Sequence, residues 1–177
     1  MNVAAAVAGL ALAYGLLARR EDGDVATNAA DHERGYYLTA ATLTEFGPDG
    51  APRIVLRADS IEQRLADQNV LLSGLTLDYT SPKAGRWTVT ATQGRLPATA
   101  KSLLLSGGVL ITGSDARGSP VIRTDQLAYD TTTSVIQTAE PVAVQFGKHH
   151  LEGRGLRVVL NDGTLRLESN VNGRFVP

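Results

Sequence analysis

Residues 69–80 read NVLLSGLTLDYT, and residues 102–113 read SLLLSGGVLITG. Leu-Leu-Ser-Gly followed by an apolar tail therefore recurs after 33 residues. The same interval relates Leu56, Val89 and Ile122, then Ala58, Ala91 and Thr124, then Ser73, Ser106 and Ala139. Each unit runs apolar-x-small, then a spacer, then a small pair and an apolar strand. The units are IVLRADSI…VLLSGLTLDY, WTVTATQG…LLLSGGVLIT, VIRTDQL…IQTAEPVAVQF and a shorter LEGRGLRVVL…LRLESNVNGRF. A unit of two short strands cannot bury an apolar face alone, so such units must stack on one another. The doubled Ser-Gly then marks the same corner in successive layers, because glycine suits a bend or a close backbone approach.

Around the repeat, the texture from Tyr36 onward is uniform. Short alternating apolar runs are separated by turn signals at GPDG (47–50), SPKAG (81–85), GSDARGSP (113–120) and NDG (161–163). Short strands with even spacing and no long helical pattern predict an all-β sandwich, roll or solenoid. Residues 59–68, DSIEQRLADQ, are read as a strand end and turn rather than a helix, from their place in the repeat. Alternation predicts an inward set of Leu56, Trp87, Val89, Val142, Val144, Phe146, Leu156, Val158, Leu160 and Phe175. Leu75, Leu77 and Tyr79 also alternate inward. Under the 33-residue shift they fall one residue out of phase with Val142, Val144 and Phe146. A one-residue slip swaps the faces of a strand, and Gly107-Gly108 is the expected bulge that absorbs it.

The chain has 177 residues, enough for one domain, with 43% apolar content. Its 17 basic and 18 acidic residues give a net charge of −1, which argues against a nucleic-acid partner held by phosphate neutralisation. It has no cysteine, so disulfides and thiol chemistry are excluded. Little points to catalysis. Ser73 and Ser106 lack a Gly-x-Ser-x-Gly context. His149 and His150 are adjacent, so on a strand they face opposite ways and cannot easily share a metal. Asp59 and Asp125 hold equivalent repeat positions, but Thr92 takes the middle one. Hydrogen bonding at a turn or strand end is the expectation for them.

The N-terminus departs from this pattern. Residues 2–18, NVAAAVAGLALAYGLLA, carry no charge. As a helix they would span roughly 25 Å, slightly under a hydrocarbon core of about 30 Å. Residues 1–18 are read as a single membrane anchor. A cleaved signal peptide and a buried or interfacial helix are the alternatives. Residues 19–34, RREDGDVATNAADHER, read as a polar linker, and 35–177 as the main domain. Arg19 and Arg20 follow the apolar segment and no basic residue precedes it. Positive charge favours the cytoplasmic side, so this placement opposes a periplasmic main domain and suggests a start further upstream.

The order of parts resembles the LptC family. The residues that carry the resemblance are the Tyr-Leu-x-x-x-x-Leu-x-x-Phe entry of 37–46, the LLSG repeats, the Gly-x-Gly-Leu of 153–156 and the closing SNVNGRF. The family comprises membrane-anchored periplasmic subunits of lipopolysaccharide export. The resemblance implies an open, twisted β-jellyroll of two antiparallel sheets after an N-terminal hydrophobic helix. It implies that the apolar interior lines a slot for the acyl chains of lipopolysaccharide. These chains would come from ABC-transporter permeases, with ATP hydrolysis in separate ATPase subunits. They would pass to a periplasmic bridge protein of the same fold. No enzymatic activity and no cofactor are implied. Gly47, Gly50 and Gly155 become candidate structural or docking glycines, with a bulky residue at 155 expected to clash with a neighbouring strand. Leu165, Leu167, Val171 and Phe175 become the C-terminal docking edge. The alternatives are an anchored scaffold that binds only protein, marked by a dry, closed interior, and an envelope hydrolase.

Overall fold

The structure is a computed structural model. It describes residues 34–81, 85–114, 119–160 and 164–174. The proposed anchor and linker up to residue 33, the Asn-Asp-Gly loop and Phe175 lie outside the described residues. Among the described residues, no helix is long and apolar enough to cross a membrane.

The alternating segments form nine strands: β1 (Arg34–Phe46), β2 (Pro52–Arg64), β3 (Val70–Ser81), β4 (Gly85–Leu96), β5 (Ser102–Ser114), β6 (Val121–Asp130), β7 (Val135–Phe146), β8 (His149–Val159) and β9 (Thr164–Arg174). Each pairs antiparallel with the next, in the order β1 to β9 without a crossover. The DSIEQR stretch continues β2 and then turns, as its place in the repeat predicts.

The expectation of two sheets requires correction, because all nine strands share one continuous sheet. The reason lies in strand length. The strands run 10 to 13 residues, about twice the usual length. Each is long enough to pass through both layers of a sandwich, so no loop has to carry the chain from one sheet to another.

The inward phase of successive strands breaks midway, and the breaks line up as a seam across the sheet. The burial pattern records it. Inward residues along a strand should lie two apart. Across the seam they step by three in β2 (Ala58 to Ile61), β3 (Leu72 to Leu75), β4 (Ala91 to Gly94) and β6 (Thr124 to Leu127). In β5 the step is four, from Leu105 to Val109, and in β7 it is four again, from Thr138 to Val142. Where a three-step strand lies beside another, the register is unbroken. Where it lies beside a four-step strand, the register shifts by one. The phase mismatch between the first and third units is therefore absorbed at Gly107-Gly108 and again at Thr138–Pro141.

The backbone at the seam shows how the bend is made. Gly74, Gly107, Gly108 and Gly155 have φ of 57°, 83°, 76° and 79°, and Ala40 and Asn170 share the left-handed region. The partner strand closes over Gly74, Gly107 and Gly155. A Cβ on Gly74 would lie 2.0 Å from Asp59 Oδ2, and one on Gly107 would lie 2.7 Å from Thr92 Cβ. Thr92 Oγ1 donates to the Gly107 carbonyl at 2.6 Å. The 33-residue repeat is therefore the seam crossing itself: Asp59 over Gly74, then Thr92 over Gly107. In the third copy Asp125 and Glu140 take these places, and Thr138 Oγ1 accepts from the Glu140 amide at 3.1 Å. Asp59 and Asp125 thus sit in mid-strand, not at the strand ends or turns expected for them.

The half of the sheet carrying the Gly47–Ala51 turn, here the upper layer, folds over the other half, the lower layer. Tyr79 Oη of β3 donates to the Leu160 carbonyl just after β8, at 3.4 Å. One core fills the space between the layers, with Leu75, Ile122, Leu156 and Val109 fully buried.

Gly108 and Gly107 separate the two demands of the seam. Both need positive φ, but a Cβ on Gly108 meets nothing within 4 Å. Gly108→Ala is expected to cost about 1 kcal/mol, the left-handed penalty alone. Gly107→Ala should cost clearly more, because Thr92 must also move. Urea unfolding of both variants measures this; equal losses would mean that no close approach is made at Thr92.

Candidate functional site

Between the layers lies a cavity lined only by apolar and aromatic residues. Ile54, Leu77, Tyr79, Trp87, Val89, Ile111 and Ile122 come from the upper layer. Leu105, Leu127, Tyr129, Ile136, Val158 and Leu160 come from the lower layer. Its volume is about 20 Å³, room for about one water. Among the described residues, apolar side chains nearly fill the space between the layers. A larger hollow of about 810 Å³ lies over Leu71, Ser73, Gln93, Arg95, Leu104 and Gln126, among others. Those residues alternate away from the buried Leu72, Gly94 and Leu105, so it is a mixed, open trough on the outer face and not a buried site.

Of the residues expected to face inward, Val89, Val142, Val144, Leu156, Val158 and Leu160 are buried. Leu56 and Trp87 are half-buried and pack on the same core. Trp87, Val89, Val158 and Leu160 line the cavity; Leu56, Val142, Val144 and Leu156 belong to the surrounding core. Phe146 keeps the phase of Val142 and Val144 but is not buried. It is exposed at the end of β7, beside the turn at Gly147-Lys148, where the alternation has run out of sheet to pack against.

The glycines have distinct local reasons. Gly47 and Gly50 build the β1–β2 turn, with the Gly47 amide donating to the Ala51 carbonyl at 2.8 Å and the Gly50 amide to the Gly47 carbonyl at 3.0 Å. Gly155 is buried on the seam, and a Cβ there would lie 2.7 Å from Glu168 Oε2 on β9. On β9 itself, Leu167 packs on the core while Leu165 and Val171 are exposed. Among the described residues, β9 pairs only with β8 and β1 only with β2, so within this part of the chain both leave an open edge.

The alternation pattern missed a polar cluster at the rim of the cavity. The carboxylate of Glu45 near the end of β1 accepts from Arg53 Nη2 at the start of β2. A register shift between Glu45 and Phe46 brings the two together. Tyr129 of the lower layer feels the charges of this pair. Burial first, and the Glu45 carboxylate second, push the Tyr129 hydroxyl up to about 12. One signal was present in the sequence: Glu45 stands two residues after Leu43, on the apolar face of its strand.

Ser73 and Ser106 lie on the outer face near the seam, away from the histidines at the β7–β8 hairpin. His150 Nε2 lies 3.1 Å from Glu152 Oε1 on the surface. Among the described residues, no group of three His, Asp or Glu is placed to hold a metal ion.

Tyr129 sets a pH dependence. Its neutral form is favoured in the folded state, since the folded value of about 12 exceeds the ordinary 10. The stability it contributes is complete below pH 10 and is lost as pH rises toward 12. Burial raises Tyr36 in the same direction, so Tyr129→Phe should flatten the alkaline loss of stability only in part. Urea unfolding between pH 9 and about 12 reads this. An unchanged slope would place Tyr129 in contact with water.

The family model described as lipopolysaccharide-assembly, LptC-related, matches residues 3–176. No curated protein matches the chain by sequence. Among solved structures, the chain is similar to LptH of Pseudomonas aeruginosa. That protein is described as the LptA-homologous periplasmic component of the conserved lipopolysaccharide transport device. The TM-score is 0.53 at 11% identity, covering 70% of this chain and 95% of that one. At this identity the likeness speaks for the fold alone.

Proposed function

The chain belongs to the LptC-related lipopolysaccharide-assembly family, and from that premise we propose that it is a membrane-anchored relay in lipopolysaccharide export. It takes lipopolysaccharide from ABC-transporter permeases and passes it to a periplasmic bridge protein of the same fold. Residues 1–18 anchor it in the inner membrane and residues 35–177 work in the periplasm. The observation that carries this reading is the family match over nearly the whole chain. The all-β fold, the apolar interior and the two open sheet edges support it.

The filled interior sets the mechanism. An acyl chain enters only if the two layers part. Burying a methylene yields about 0.8 kcal/mol, so a chain of about twelve gains roughly 10 kcal/mol. That gain offsets the exposure of the side chains that now fill the space. No specific polar contact to the chains is needed, and the layers close again on release. The seam is the hinge and the rim opposite it is the entrance. At each end of the sheet an edge strand can pair with a partner's edge strand. β9, with exposed Leu165 and Val171, is the edge that faces the bridge protein. Catalysis has no place in this scheme.

The same filled interior favours a second reading, a scaffold that binds protein partners alone. The two readings separate in one experiment. A photo-crosslinking side chain is placed singly at the inward positions Val89, Val144 and Val158. Thr90, Gln145 and Arg157, the next residue on the other face of each strand, serve as controls. The full chain is irradiated with lipopolysaccharide. Adducts at the first set alone are expected. No adduct at any position in a folded protein would leave the scaffold reading.

A further inference from the structure

A purely apolar slot has no use for the ion pair at its rim. Glu45 takes an inward position on β1, where a charge is costly unless well partnered. Its partnering is incomplete. Glu45 Oε2 and Arg53 Nε are buried with no hydrogen-bond partner among the described residues. Leaving a buried donor and acceptor unmade forfeits much of what a buried pair can contribute. As a structural clasp the arrangement is poor. As an exchangeable contact it is well suited. The Glu45 side chain is only 13% exposed, whereas Arg53 is 32% exposed and reachable from outside.

The chemistry of the exchange follows from the position. Chains that enter the cavity leave their headgroup at this rim. A guanidinium presents a planar fork of donors that matches two oxygens of a phosphate, and it stays charged at any working pH. The pair is made within the β1–β2 hairpin, at the outer end of the upper layer.

We propose that Arg53 is the specificity-determining residue for a phosphorylated headgroup: it leaves Glu45 and takes a headgroup phosphate as the acyl chains enter. Glu45 is the internal competitor. Released, it is solvated at the opened rim. A lipid without a phosphate cannot displace it, so the pair rejects chains that carry no anionic headgroup. This inference rests on the lipid-relay reading and goes beyond it, since that reading needs no polar contact.

The test uses the full chain with the photo-crosslinking side chain at Val158. The probes are lipopolysaccharide, the same lipopolysaccharide after enzymatic removal of its headgroup phosphates, and inorganic phosphate. Arg53→Gln should lower capture of the phosphorylated form about tenfold or more, the worth of a charge-assisted hydrogen bond. It should raise capture of the dephosphorylated form, because the pair that rejects such chains is gone. Glu45→Gln, which weakens the competitor, should raise capture of the phosphorylated form. The double variant Glu45→Gln/Arg53→Gln leaves no unpaired charge at the rim. It should match Arg53→Gln, which guards against a folding defect. Equal capture of both forms by the unaltered protein, or parallel loss of both in Arg53→Gln, would overturn the inference while the relay reading stands. Capture of neither form would overturn the relay reading itself. Arg53-dependent thermal stabilisation by millimolar inorganic phosphate, without phosphate-dependent lipid capture, would reassign the site to a free anion and also overturn it.

Discussion

A β-strand that runs through both layers of one folded sheet must bend sharply on the way and keep its apolar side within the fold. That constraint sits at the seam, and the rest of the structure depends on it. A regularly paired strand cannot make that bend, whereas extra residues or a backbone conformation outside the β region can. Both devices are present. Positive φ at Gly74, Gly107, Gly108 and Gly155 supplies the bend. The four-residue steps in β5 and β7 displace the register against their neighbours by one. Without the bend, the two halves of the sheet could not face each other, and no common core could form between Leu75 and Val109 on one layer and Leu72 and Leu156 on the other.

The same constraint gives the fold its capacity to move. Among the described residues, the two layers are joined along the seam, and the contacts between them at the opposite rim include the long hydrogen bond from Tyr79 to the Leu160 carbonyl. Between seam and rim the filling is apolar and non-directional, so it can be exchanged for other apolar matter at little net cost. A filled interior and a carrier's function are compatible on these terms.

Much of this was legible in the chain. The 33-residue interval marked a recurring bend at the Ser-Gly pairs, where Gly74 and Gly107 take positive φ, but it did not show that Asp59 and Asp125 lie beside that bend in mid-strand. Alternation found part of the core, Leu75, Val89 and Leu156 among it, and left out Leu72, Leu105, Val109 and Ile122. It failed at Phe146, because an apolar residue at a strand end obeys the alternation without having anything to pack on. The expectation of two sheets came from the family resemblance; alternation alone read short strands and left sandwich, roll or solenoid open, whereas the strands run 10 to 13 residues, about twice the usual length. The rim cluster stayed hidden for a different reason. Glu45 and Tyr129 are 84 positions apart in the chain, and nothing local in the sequence announces that the charge of one reaches the other.

The central claim is that the two layers part along the seam to admit lipid. The chain contains no cysteine, so Ala51→Cys in the β1–β2 turn and Thr132→Cys in the β6–β7 turn would place two spin labels across the rim. Both positions are exposed and leave the core untouched. The interlabel distance, read by pulsed dipolar spectroscopy on the full chain, should lengthen when lipopolysaccharide is added and return when it is removed. A distance that stays fixed while lipid binds would contradict opening at this rim, and with it the account of the fold as a hinged carrier.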